Sequence, residues 1–222
     1  DGDEFQLGFH FPLMPRIFMS IGKQDASSLV QIMQETPEIP ENCQWSTFLR
    51  NHDELTLEMV SEEDRQWMWA FYAPQKEMRL NLGIRRRLYP LLDNDRKKIG
   101  LAFSLIFTLP GSPVLYYGDE IGMGDNINLF DRNGVRTPMQ WDDTKNGGFS
   151  TADRTYLPAI TDEKYGYQNV NVMQQEDDPD SNLNWLRRLI RIRKASEALG
   201  EGELEWITTG SEVKVLAYIR RS

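Results

Sequence analysis

The residues best suited to chemistry in this chain stand together at Asn51-His52-Asp53. An imidazole can donate to a hydroxyl, and an ionised carboxylate can accept from two adjacent hydroxyls, so the trio suits the grip of a polyol. The same carboxylate can stabilise a sugar ring that becomes positively charged at its transition state. The trio follows a short apolar run, Trp45, Phe48 and Leu49, that stops abruptly at Arg50. A buried parallel strand delivers polar groups to the mouth of a barrel or an open α/β sheet in this way. The competing assignment is a helix N-cap at Asp53, with Glu54 and Glu58 as first-turn acids. Spacing alone does not separate the two.

The elements that would position this trio follow from pattern. Residues 7–14 predict a short buried strand ended by its prolines, and 17–35 a helix with Leu29, Ile32 and Met33 on one face. The proline-rich stretch 36–40 leads into a second strand over 44–50. Ser61-Glu62-Glu63-Asp64 is a capping-box signature opening an aromatic-rich helix that stops near Pro74. Asp93-Asn94-Asp95 opens another, carrying Ile99, Phe103, Ile106 and Phe107, and Pro110-Gly111 closes it. A third strand is predicted over 114–117, then a long irregular stretch over 122–180, the kind of loop that is usually functional. Ser181 caps a helix over 182–198, Gly200 and Gly202 break it, and 213–218 alternates like the first strand of a new β layer. Strand and helix alternating three times predicts an α/β fold with parallel strands.

Composition narrows the function classes. Of 222 residues 40% are apolar and 27% charged, ordinary for one sizeable core. The balance of 25 basic to 34 acidic residues, a net charge of −9, argues against nucleic acid as a partner. Arg85-Arg86-Arg87 is the local exception, read as a solvated face or loop anchor before a phosphate site. A single cysteine, Cys43, excludes an intrachain disulfide and suits a reducing, cytoplasmic setting. No run approaches the roughly 20 apolar residues of a membrane span, and neither a signal peptide nor a metal-ligand cluster is visible. The chain opens on Asp1 without an initiator Met, which suggests a piece of something longer.

Four segments, taken in order, resemble one family. They are Phe48-Leu49-Arg50-Asn51-His52-Asp53, the run from Gly111 to Glu120 (Gly-Ser-Pro-Val-Leu-Tyr-Tyr-Gly-Asp-Glu), Arg136-Thr137-Pro138-Met139-Gln140-Trp141, and the helix from Asn182 to Lys194. Each is similar to a conserved region of the α-amylase family, glycoside hydrolase family thirteen. The finer resemblance, through residues 9–16, 37–45, 51–58, 83–88, 131–136 and 165–168, is to the branch that isomerises maltose to trehalose.

The resemblance implies an eightfold (β/α) barrel followed by a C-terminal β domain. Residues 1–202 would be the C-terminal portion of the barrel, strands six to eight with their helices, and 203–222 the beginning of a β-sandwich. Asp53 would be the carboxylate that stabilises the transition state, and His52, Arg136, Arg132 and Tyr117 would bind substrate. A salt bridge pinning the long loop is a nearly equal reading for both arginines. The nucleophile and the acid/base of the family would lie upstream of Asp1 and are absent from this chain. Asp1, Asp3 and Glu4 stand before the sixth strand, and no motif gives Glu54, Glu58, Asp119 or Glu120 those roles. His10 reads as a satisfied core histidine, Trp67, Trp69, Phe71 and Tyr72 as a packed helix face, and Tyr116, Tyr117 and Trp141 as cavity residues. No cofactor is implied for this chain, calcium belonging to the complete enzyme. The implied activity is retaining intramolecular transglucosylation on maltose- and trehalose-type disaccharides, with the chain alone inactive. An α-glucosidase, a sucrose isomerase or a non-catalytic carbohydrate-binding module are the alternatives. Three strands of a barrel leave unpaired edges, which predicts a homo-oligomer or rearranged edge pairing.

Overall fold

A computed structural model describes residues 3–208 and 214–222, so the acid at Asp1 and the strand start at Val213 lie outside the described residues. In chain order the elements are β1 (Leu7–Phe9), α1 (Leu13–Lys23), α2 (Ser27–Glu35), β2 (Gln44–Phe48), β3 (Leu55–Thr56), α3 (Glu62–Tyr72), β4 (Arg79–Leu80) and β5 (Gly83–Ile84). There follow α4 (Leu88–Leu91), α5 (Arg96–Thr108), β6 (Ser112–Val114), α6 (Val172–Glu176), α7 (Asn182–Ala195), α8 (Glu197–Gly200), β7 (Glu203–Trp206) and β8 (Tyr218–Arg221).

The central sheet is parallel, in the order β1-β2-β6, with Phe9 opposite Ser46 and Phe48 opposite Val114. Helices connect its strands, as parallel pairing requires. Phe18 of α1, Phe48 of β2 with Leu49 just after it, and Phe103 and Ile106 of α5 are all buried in one core. Each such side chain contributes about 1.5–3 kcal/mol by leaving water. The outer strands have one neighbour each among the described residues, and Leu7, Phe9 and Val114 are exposed there. No helix among these residues is long and apolar enough to cross a membrane.

Local capping signals place three helices where the sequence puts them. The side chains of Ser61, Asp95 and Ser181 accept from Asp64 N, from Lys97 N and Lys98 N, and from Asn184 N. Each such cap is worth about 1 kcal/mol. His10 is a buried, satisfied histidine: its Nδ1 accepts from Leu13 N at 3.1 Å, and its Nε2 lies 2.7 Å from Thr36 Oγ1. Burial holds its pKa below the ordinary value. On α3, Met68 and Tyr72 are buried, Trp67 stacks on Phe71, and Trp69 Nε1 donates to Gly83 O.

Several boundaries differ from expectation. The first strand ends at Phe9 and α1 begins at Leu13, because Pro12 already has helical φ and ψ and His10 Nδ1 takes the Leu13 N–H. The helix expected over 17–35 is two, since Gln24 turns left-handed at φ 55° and Asp25 caps Ser27 N. The third strand pairs over 112–114, not 114–117. Gly111, at φ 123°, lets the chain pass so close to β2 that a Cβ there would stand 2.6 Å from Thr47 Cγ2. Tyr116 and Tyr117 instead donate their hydroxyls to Val135 O and Thr137 O in the long loop. The helix-cap alternative for Asp53 is overturned, because Leu55 and Thr56 pair with Ile84 and Gly83 in a small antiparallel sheet. At the C-terminal end, β8 begins at Tyr218 and pairs antiparallel with β7.

Candidate active site

The site grows from the end of β2, the middle strand of the parallel sheet. Leu49 and Arg50 continue the strand's direction into the core, each 2% exposed. Arg50 Nε donates to Arg86 O at 2.7 Å and Nη2 to Asp53 O at 2.9 Å. Asn51 Oδ1 accepts from Asp53 N at 2.9 Å, a local turn that throws the Asp53 side chain outward.

Four of the five expected site residues meet there. Asp53 Oδ1 lies 2.6 Å from Arg132 Nε and 2.9 Å from Arg136 Nη2. His52 Nε2 is 3.4 Å from Asp53 Oδ2, and Arg136 Nε donates to His52 O at 2.8 Å. Arg132 also reaches Glu54 Oε2 at 3.2 Å and Asp131 Oδ1 at 2.9 Å. Burial, the largest single effect, pulls its pKa down, but Glu54, Asp53 and Asp131 together outweigh it and hold the group above its ordinary value. The salt-bridge reading of the arginines is what the geometry shows: each pairs with the Asp53 carboxylate and ties the long loop to it. Tyr117, the fifth residue, directs its hydroxyl to Thr137 O at 2.7 Å.

Two cavities border this cluster, one on the side of His52 and Asp53 and one on the side of Arg136. One, of about 350 Å³, is lined by Phe9, Phe11, Phe48, His52, Asp53 and Tyr116. The other, of about 520 Å³, is lined by Tyr117, Glu120, Arg136, Met139, Trp141 and Phe149. Aromatic walls with a few converging polar groups suit a sugar, whose ring faces are apolar and whose rim is hydroxylated.

A family model described as "Alpha amylase, catalytic domain" matches residues 84–202, more than half of the chain. The chain belongs to the alpha-amylase family. It is 56% identical to the trehalose synthase of Pimelobacter sp. (strain R48) over 221 residues, 99% of this chain and 38% of that protein. It is 54% identical over 222 residues to the trehalose synthase/amylase TreS of Mycobacterium tuberculosis (strain ATCC 25618 / H37Rv), covering 99% and 37%. Among solved structures, the alpha-amylase from H. orenii superposes with a TM-score of 0.66 at 25% identity, covering 98% of this chain and 37% of that one. The chain thus spans less than two fifths of the length of these relatives.

For an alpha-amylase family chain, sequence reasoning missed what lies beneath Asp53. Arg85-Arg86-Arg87 is no solvated face; its loop-anchor reading holds. Arg86 Nε binds both oxygens of Asp125, and Arg87 Nη1 donates to Tyr117 O at 2.6 Å. The Arg87 guanidinium lies 4.8 and 4.7 Å from the ring centres of Tyr116 and Tyr117. Asp119 Oδ1 is 3.8 Å from Arg87 Nη1, and both residues are buried. Burial pushes the Asp119 carboxyl up to about 7, against the pull of Arg87 and Arg50, and lowers Arg50 to about 10. The available signal was an arginine ending an apolar strand, which in a barrel must find acceptors inside. Calcium, which the alpha-amylase family resemblance allows, does not fit these residues: among the described residues no group of three His, Cys, Asp or Glu side chains is placed to hold a metal ion, and the acids nearest Asp53 are paired with Arg132.

Asp119 carries a pH prediction. With a folded pKa near 7 and an ordinary value of 3.8, the native state binds a proton that the unfolded chain lacks between those limits. Stability from this group is therefore present at low pH and falls as pH rises toward 7, levelling above it. Asp119→Asn stays neutral throughout. Denaturant unfolding from about pH 5 to about pH 8 should show wild type losing on the order of 2 kcal/mol relative to Asp119→Asn. A pH-independent difference would mean that Asp119 is ionised across the range.

Proposed function

We propose that this chain is the C-terminal part of the catalytic barrel of a trehalose synthase, supplying strands six to eight within residues 1–202 and opening a C-terminal β domain over 203–222. The observation that carries the reading is Asp53 at the end of the central parallel strand, flanked by His52 and paired with Arg132 and Arg136. Near end-to-end similarity to proteins named trehalose synthase supports it.

The whole protein then isomerises maltose to trehalose with retention. A carboxylate nucleophile on another strand attacks the anomeric carbon of the non-reducing glucose. A carboxylic acid protonates the departing oxygen, and a covalent glucosyl-enzyme forms. Asp53 grips the sugar hydroxyls and stabilises the oxocarbenium-like transition state, with His52 donating to a hydroxyl. The freed glucose turns within the pocket, and its anomeric hydroxyl attacks the glucosyl-enzyme, giving up its proton to the acid/base. Water must be kept out, because it would intercept the same intermediate. Hydrolysis is thus the second outcome of one mechanism, and the double name of the mycobacterial relative favours keeping it in view. Tyr117 and the aromatic wall of the larger cavity serve that exclusion. The exposed strand edges at β1 and β6 pair with the rest of the barrel, and a lone Cys43 suits the cytoplasm, where thiols stay reduced.

The test is to express the complete protein that contains this chain, supply maltose, and resolve the products by chromatography. Trehalose with minor glucose supports the isomerase. Glucose alone means a glucosidase, and neither means that the chain does not serve this chemistry.

A further inference from the structure

Arg85, first of the arginine run, reaches into the long loop ahead of Arg132. It is buried, and its guanidinium is caged by four main-chain carbonyls. Nη1 donates to Leu129 O at 2.5 Å and to Asp131 O, and Nη2 to Glu77 O and Ile127 O at 2.6 Å each. Three of these carbonyls belong to the five residues immediately before Arg132. Asp131 itself stands at φ 52°, a left-handed conformation that most L-residues avoid. A strained residue next to a functional side chain persists only where its surroundings hold it, and here the Arg85 cage does so.

We infer that Arg85 is a positioning residue for Arg132: by fixing the carbonyls of 127, 129 and 131 it sets the direction in which the chain leaves Asp131, and so brings Arg132 against Asp53 Oδ1. The inference rests on the reading of Asp53 as the transition-state carboxylate. A planar fork of donors suits four carbonyls at once; an ammonium, with three donors on one atom at the end of a flexible stem, does not. Displacing Arg132 by an ångström would cost rate more than affinity, because the carboxylate it fixes acts chiefly at the transition state.

The experiment is a double-mutant cycle in the complete protein, with kcat and KM measured for wild type, Arg85→Lys, Arg132→Ala and the double variant. Arg85→Lys should lower kcat about tenfold with KM changed much less, and should add less than about twofold once Arg132 is Ala. Additive losses would overturn the inference, because they would mean that Arg85 only holds the loop together. A second arm does not depend on the folding of Arg85→Lys. Asp131→Gly and Asp131→Ala both remove the carboxylate, but only glycine takes the left-handed conformation without strain. The Gly variant should retain about fivefold more kcat than the Ala variant; equal or inverted activities would overturn the inference. The cycle is read on whatever glucosyl transfer or hydrolysis wild type performs, so a wrong product rejects the proposed function while additivity rejects the role of Arg85.

Discussion

Replacing Asp53 by Asn in the complete protein should lower kcat by about 10³-fold or more and leave the fold intact. The amide has the shape of the carboxylate but not its charge, and the charge is what a developing oxocarbenium ion requires. Stability should hardly change, because the Asp53 side chain is 40% exposed and its arginine pairs are solvent-screened. The arginines also keep other partners: Arg132 retains Glu54 and Asp131, and Arg136 retains the His52 carbonyl. His52→Ala should be milder, about 10² in rate, since it removes one donor and no charge. The check is steady-state kinetics on maltose with thermal unfolding of the same samples. Activity of Asp53→Asn near that of wild type would end the assignment of this carboxylate.

The 222-residue chain by itself should turn over neither maltose, trehalose, sucrose nor aryl α-glucosides, and should self-associate. Retaining transfer needs a nucleophile and an acid/base about 5–5.5 Å apart across the glycosidic bond. The acids beside Asp53 are otherwise engaged. Glu54 is bound by Asn81 and Arg132, and Asp131 pairs with Arg132. Asp119 is buried beside Arg87. Sugar binding through His52, Asp53 and Arg136 should survive only at about millimolar Kd, with half the pocket walls gone. Meanwhile Leu7, Phe9 and Val114 expose apolar surface on the outer strands, which recruits other chains. Assays of glucose release and of maltose–trehalose interconversion, beside light scattering and an Asp53→Ala control, decide the matter. Turnover that depends on Asp53, or a clean monomer at high concentration, would contradict the expectation.

What the sequence makes legible here is local. Ser61, Asp95 and Ser181 announce their helices because a cap and the amides it serves lie within three residues of each other. The parallel strands are legible as apolar runs, but their ends are not. Pro12 starts its helix through its own dihedrals and the His10 ring rather than ending a strand, Gly111 acts through Thr47 far along the chain, and strands of two residues such as β3 and β5 leave no periodic trace. The site divides in the same way. His52 and Asp53 stand out because they end an apolar run, whereas their pairing with Arg132 and Arg136 crosses a loop that no spacing rule spans. Arg50, Arg87 and Asp119 were hidden for a different reason: pattern reading assigns charge to the surface, and these charges are inside.

The contact between Arg136 and Asp53 joins residues 83 positions apart. During synthesis at about 5–20 residues per second, that separation is a delay of roughly 4–17 s. Through that interval the nascent strand β2 and its polar tip exist before the loop that neutralises them has left the ribosome. The cluster around Asp53 therefore closes only once Arg136 has emerged, and slow translation between codons 53 and 136 would lengthen the time it stands open.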